Sequence, residues 1–203
     1  MNQVEFFNNI AEKWDSKIKV DDKKISKLLS QISIKEGSDI LDIGTGTGVL
    51  IPFFKQLNKS GKITAVDISE GMLKMAKRKF GQLNNVEFKN LDVEKDPIEG
   101  VYDSIILYSM FPHLKNKSRT IKKLVDNNLK NNGKLLIAHS ESRDYLNNLH
   151  SSSDERVKEA RLMEVNEQKE IFEKENLKVI KAYEDDEIYY LVIEKIRGTK
   201  DEN

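Results

Sequence analysis

Residues 41–50 read LDIGTGTGVL, an apolar run with an aspartate at 42 and glycines at 44, 46 and 48. Glycine-rich turns after a strand hold phosphates, dinucleotides or other nucleoside ligands. In such a turn Gly44 lets the backbone reverse sharply, Gly46 lets it approach a ligand, and Gly48 lets the next helix start close to the sheet. A second carboxylate, Asp67 in AVDIS, follows Gly48 by about 20 residues, the spacing at which an acidic side chain takes both ribose hydroxyls. A third, Asp92 in NLDV, falls at the end of another apolar stretch.

Three ligands compete for the loop. A nucleotide-triphosphate loop needs Gly-Lys-Ser/Thr, and no lysine follows Gly48. A nicotinamide loop wants a glycine or alanine where Val49 stands, and needs a helix start open to pyrophosphate, while Asp42 brings negative charge beside it. A cationic ligand suits Asp42 better. S-adenosylmethionine is one, with an ammonium, a sulfonium and no phosphate.

The three histidines form the other group able to do chemistry. His113 stands in MFPHL, His139 in IAHSES and His150 eleven residues further on. A general base with an unperturbed pKa of about 6.5 is one role. A metal centre with Glu141 is another, and ordinary hydrogen-bonded loop histidines are the third. No metal site is assigned.

These residues must be carried by a regular frame. Helical spacing of apolar residues predicts helices over 4–15 and 21–32, the second capped by Asp21 or Asp22. Strands are expected at 39–44, 61–69, 85–93, 102–110 and 133–140, with helices at 49–57, 70–80 and 119–130 between them. Pro52 is acceptable only in the first turn of its helix. The NNG at 131–133 is expected to close the helix before the fifth strand. A helix at 164–175 and strands at 177–183 and 187–196 complete the series, the last two joined by EDDE and so antiparallel. Alternation of this kind implies an α/β fold: a doubly wound, Rossmann-like sheet of seven strands, mostly parallel, ending in an antiparallel hairpin. One domain over 1–203 is expected, with an N-terminal helical lid at 1–35. The segment 140–163 is long for a connection and should hold a short helix covering the acceptor site. The tail RGTKDEN (197–203) should be frayed.

Taken together, LDIGTGTGVL, AVDISEGML, NLDVEKDP, YDSIILYSMFPHL and NNGKLLIAHS resemble the class I S-adenosylmethionine-dependent methyltransferases, over roughly residues 5–195. The opening FFNNIAEKWD is similar to the N-terminal segment of the small-molecule type, including the quinone-biosynthesis group. The resemblance implies that Asp42, Gly44, Thr45, Gly46 and Gly48 surround the methionine part of the cofactor, and that Asp67 binds the ribose diol. It sets Ile68 and Met72 against the adenine, with Asp92 and Val93 at its amino edge. Tyr108 falls near the methyl-donor end, and Trp14 where the family often has tyrosine. His113 and His139 then fall on the acceptor side, as candidate catalytic residues with Tyr108.

Absences narrow the acceptor. YSMF stands where methyltransferases of DNA amino groups carry Asn/Asp-Pro-Pro-aromatic, and the chain has no cysteine for covalent attack on cytosine. Lys+Arg and Asp+Glu are 34 each, so no net field draws nucleic acid or a membrane. No signal peptide or membrane-spanning run is visible, and a cytoplasmic enzyme acting on a small molecule is expected. The alternatives are a nicotinamide-dependent oxidoreductase and a non-catalytic S-adenosylmethionine-binding protein. Arg143 and Tyr145 are further residues that could grip a substrate.

Overall fold

A computed structural model describes residues 3–151 and 160–196. Seven strands form one sheet in the order β3-β2-β1-β4-β5-β7-β6. They are β1 (Ile40–Ile43), β2 (Ile63–Asp67), β3 (Val86–Asn90), β4 (Tyr102–Tyr108), β5 (Leu129–His139), β6 (Lys178–Glu184) and β7 (Tyr189–Glu194). The first five are mutually parallel, and β7 runs antiparallel to both of its neighbours, β5 and β6. This is the expected mixed sheet. β1 and the middle of β4 are buried, as strands covered on both faces must be.

The helices are α1 (Gln3–Lys17), α2 (Asp22–Leu29), α3 (Ile51–Leu57), α4 (Glu70–Phe80), α5 (Lys117–Asn128), α6 (Arg143–Ser151) and α7 (Val165–Lys174). Alternate residues of the strands feed two cores. Ile105, Leu107, Leu135, Ile137 and Leu191 pack with α5 and α7 through Leu124 and Phe172. Ile40, Ile106, Leu136 and Val192 pack on the other face with Ile25 and Leu28 of α2 and Phe54 of α3. Asp21 caps α2 by accepting from the amides of Lys23 and Lys24, and Pro52 lies within the first turn of α3, where its missing amide costs nothing.

One element departs from expectation. The NNG at 131–133 does not separate a helix from a strand. α5 ends at Asn128 and β5 begins at once, pairing Leu129 with Tyr102 before the register jumps to Lys134 opposite Ser104. Asn132 takes φ +61° in the slack, its amide donating to Lys195 O while the Lys195 amide donates to Gly133 O. The sequence signals a reversal there; the sheet absorbs it as a bulge because Lys195, just past the end of β7, supplies the missing partners. The EDDE connection between β6 and β7 closes on Asp185, whose Oδ1 accepts from the amides of Glu187 and Ile188.

The segment 140–163 contains the expected helix, α6, and its residues 152–159 lie outside those described, as does the tail at 197–203. No described helix is long and apolar enough to cross a membrane.

Candidate functional site

Strand order reverses between β1 and β4, each continuing into a different direction of the winding, and a ligand crevice is expected at their carboxyl ends. A cavity of about 610 Å³ opens there. Its wall includes Gly44, Thr45 and Gly46 after β1, Asp67, Ile68 and Met72 around the β2–α4 junction, and Asp92 and Val93 after β3. Tyr108 and His113 line it after β4, and Trp14 lines it from α1. Asp42, Gly48 and His139 do not line it.

Each glycine of the loop has its own role. Gly44 takes φ +69°, and a Cβ there would stand 2.7 Å from the Met110 side chain, so Gly44 makes room for the β4 loop. At Gly48, φ +86°, a Cβ would stand 2.9 Å from the Phe80 ring, which makes it a packing position between the loop and α4. Gly46, at φ +55°, has nothing within 4 Å of where a Cβ would be. It alone presents bare backbone to open space, as a loop built for close ligand approach requires.

The loop is sewn to β2: the amides of Gly44 and Thr45 both donate to Val66 O. The Gly46 amide donates to Asp67 Oδ2 at 2.8 Å, and the Ser69 amide donates to Asp67 Oδ1 at 2.8 Å. The cap of α4 is Ser69, whose Oγ accepts from Met72 N. Asp67 is thus held by two backbone amides, and burial pushes its carboxyl upward. A carboxylate has about four lone-pair sites, so two remain for a ligand.

Beneath the loop, Asp42 is 2% exposed and its Oδ2 has no partner among the described residues, nor has Thr45 Oγ1. Burial pushes the Asp42 carboxyl up to about 7, the adjacent Thr45 side chain opposing the rise and the nearby Asp67 charge adding a smaller push. Leaving a buried polar atom unpaired costs about 1–3 kcal/mol, an expense that a cationic ligand would offset. Asp92 is more ordinary. Its Oδ1 accepts from the Glu94 amide and its Oδ2 pairs with Lys95 at 2.7 Å, although its side chain still borders the cavity.

At the other end, the Tyr108 hydroxyl and Ser140 Oγ are 2.7 Å apart, and burial pushes the Tyr108 phenol up. Phe7 meets Trp14 and His113 edge-on, with ring centroids 5.8 and 5.4 Å away. His113 in turn meets His150 of α6 at 5.1 Å. His139 is 2% exposed behind them, against Tyr189. Burial pushes both His113 and His139 down to about 3. The unperturbed value on which the base role relied therefore does not apply: both rings are neutral at pH 7 and weakly basic. Among the described residues no three His, Asp or Glu side chains stand in a group that could hold a metal. Arg143 is engaged with Glu184 at 3.0 Å and with Asp144, whereas Tyr145 lines the cavity.

Sequence reasoning missed how α1 is fastened. Asn8 Oδ1 accepts from Ser69 Oγ at 2.7 Å and from Gly71 N at 2.9 Å. Asp15 accepts from Thr47 Oγ1 and pairs with Lys79 at 2.8 Å. A Cβ at Gly71 would come within 3.1 Å of the Asn8 backbone. Gly71, two residues after Ser69, was the available signal, since a glycine in a helix's first turn calls for a close neighbour.

Residues 34–194 match a family described as a methyltransferase domain. The chain belongs to this methyltransferase family. That membership accords with the methyltransferase reading of the five motifs and lends nothing to the nicotinamide alternative. Over 135 residues the chain is 36% identical to the malonyl-[acyl-carrier protein] O-methyltransferase of Acetivibrio thermocellus, covering 66% of this chain and 47% of that protein. Over 141 residues it is 28% identical to the ubiquinone/menaquinone biosynthesis C-methyltransferase UbiE of Escherichia coli, covering 64% and 56%. The chain thus spans about half the length of the curated relatives it matches. Among solved structures, a SAM-dependent methyltransferase from Aquifex aeolicus superposes with a TM-score of 0.71 at 22% identity, covering 93% of this chain and 98% of that one. The DhpI–SAH complex superposes with a TM-score of 0.75 at 16% identity, covering 97% and 96%. These likenesses establish the fold.

Proposed function

We propose that this chain is a methyltransferase that binds S-adenosylmethionine in the crevice above β1, β2 and β4 and methylates a small-molecule acceptor. The observation that carries the reading is the open space over Gly46, flanked by Asp67 and underlain by the unpartnered Asp42. That donor set suits a cationic nucleoside. Two of Asp67's lone-pair sites remain for a ribose diol, Asp42 and Thr45 supply unsatisfied polar atoms near the loop, and Ile68 and Met72 give an apolar wall for a base. Asp92 and Val93 border the same wall.

When bound, the cofactor supplies a methyl group on a sulfonium, open to in-line displacement. The protein's part is to orient and to exclude water. Orientation alone supplies as much as ~7–11 kcal/mol. Phe7 and Trp14 shut one side of the cavity, Tyr108 and Ser140 fix a hydroxyl pair at another, and neutral His113 offers a hydrogen bond without a charge. In this reading residues 1–35 act as a lid and 140–163 as the acceptor-side cover of a single domain in a cytoplasmic protein, without a nucleic-acid or membrane partner.

The relatives' printed substrates, a carrier-bound malonyl group and a quinone ring, differ too much to choose the acceptor. Transfer of label from methyl-labelled S-adenosylmethionine to a panel of oxygen, nitrogen, sulfur and carbon acceptors tests the reading. Labelled product from at least one acceptor is expected. Binding of S-adenosylhomocysteine with no product across the panel would favour the non-catalytic binding protein instead.

A further inference from the structure

Among the described residues, α6 is the one α-helix that buries no side chain; each of the others buries at least one. It starts at Ser142, whose Oγ accepts from Tyr145 N at 3.2 Å and whose carbonyl accepts from Leu146 N at 3.1 Å. Helical periodicity then sorts its side chains into two stripes. Arg143, Asn147 and His150 share one, and Tyr145, Leu146 and Leu149 share the other.

The first stripe fastens the helix through polar contacts. Arg143 Nε donates to Glu184 Oε2 of β6 at 3.0 Å. The Asn147 side chain takes both backbone groups of Leu162, donating to its carbonyl at 2.8 Å and accepting from its amide at 2.9 Å. His150 Nδ1 lies 2.6 Å from Ala160 O. Ala160 and Leu162 are themselves buried, so this stripe ties α6 to the folded body. The second stripe faces the crevice. Tyr145, Leu146 and Leu149 line the same cavity as Gly46 and Asp67, and α6 adds no charged side chain to that wall. The charged groups on the acceptor side of the cavity come from other elements, Lys17 and Lys19 from the end of α1 and Glu141 from the end of β5. Leu146 also touches the core, but Tyr145 is 54% exposed and Leu149 45%. Val20, exposed as well, borders the same cavity. Exposed large apolar side chains are ordinarily scattered; here three border one cavity.

Resting on the methyltransferase reading, we infer that α6 selects the acceptor. Its apolar stripe is completed by an apolar part of the acceptor, which enters through the cavity that the stripe lines, while the reactive end meets the Tyr108–Ser140 hydroxyl pair. Continuity with the cofactor crevice names this occupant, because whatever covers Tyr145 and Leu149 from that side lies beside the cofactor. A helix held by polar contacts, with no buried side chain, opens at lower free energy than the core. The acceptor therefore does for α6 what the core does for the other helices, and Tyr145 and Leu149 read its apolar length.

The probes are butanol, hexanol and octanol, titrated by calorimetry into the S-adenosylhomocysteine-saturated full chain, with amide exchange followed by mass spectrometry. The Kd should tighten about two- to fourfold per methylene, fourfold corresponding to full burial, and octanol should slow exchange across α6. Tyr145→Ser combined with Leu149→Ser, both at exposed positions, should flatten that gain and leave S-adenosylhomocysteine binding unchanged. Asn147→Ala should speed exchange in α6 alone, and octanol should slow it again. No alkanol binding, an equal gain in the double variant, or protection confined to other elements would overturn the inference. So would dimers in sedimentation, or binding to phosphatidylcholine vesicles, that the double variant loses, since the stripe would then serve another occupant. Failure of S-adenosylhomocysteine to bind wild type would instead strike the methyltransferase reading, so the two failures are distinguishable.

Discussion

Asp67 and Gly46 are coupled through one 2.8 Å hydrogen bond, and each supports a separate prediction. Asp67→Ala removes the proposed ribose partner and frees the Gly46 amide, so the Kd for S-adenosylhomocysteine should rise at least tenfold by calorimetry. The Cβ of Gly46→Val meets nothing within 4 Å, and its strain at positive φ costs on the order of 1–2 kcal/mol. Its side chain would fill the ligand's space, so the variant should fold and fail to bind; binding at wild-type strength would contradict the cradle. The histidines add a pH dependence. Their folded values, about 3, lie below the unfolded value of about 6.5, so their contribution is present above pH 6.5 and is lost as pH falls toward 3. At pH 5 this amounts to on the order of 2 kcal/mol for each ring. Thermal unfolding should therefore shift downward between pH 7 and 5, and less so in His139→Leu; equal acid loss in both proteins would refute the assignment. Asp42 has the opposite sign. Its folded value, about 7, lies above the unfolded one, so its contribution is lost as pH rises from about 4 to 7.

At the scale of elements, α1 depends on Asn8 and Asp15 for its seat on α4 and the glycine loop. Asn8→Ala removes the acceptor for Ser69 and Gly71, and amide exchange across α1 should accelerate while β4 and β5 stay protected. Unchanged exchange in α1 would show that Asp15 and the Phe7–His113 contact suffice. The element pattern was largely legible because buried strands announce themselves as apolar runs: ILDI, ITAV and SIILY each proved to be a strand core. Boundaries were less legible. The bulge at 131–133 depends on Lys195, more than 60 residues away, and no local signal carries that pairing. The loop glycines and Asp67 were legible from spacing, as were the residues that line the cavity after β3 and β4. That Gly48 packs on Phe80, and that His139 sits behind the wall, follow from tertiary neighbours that spacing does not reveal.

At the scale of the molecule, the strand order places the switch between β1 and β4 and thereby gathers the ends of β1, β2, β3 and β4 at one rim. The cofactor-side residues named from the strand-end motifs are on or just below that rim, apart from Gly48, which packs on Phe80, whereas Trp14 comes from α1 and the proposed acceptor side is assembled from α1, the turn after β4, α6 and the end of β5. The split explains why the ligand class was readable and the acceptor was not: one side is built from contiguous motifs, the other from single residues on four elements. The measurement that tests the account most directly is calorimetric titration of the full chain with S-adenosylhomocysteine, with NADH as the control. Micromolar binding of the first ligand alone, weakened in Asp67→Ala, is the predicted result. Binding of NADH, or of neither ligand, would contradict it.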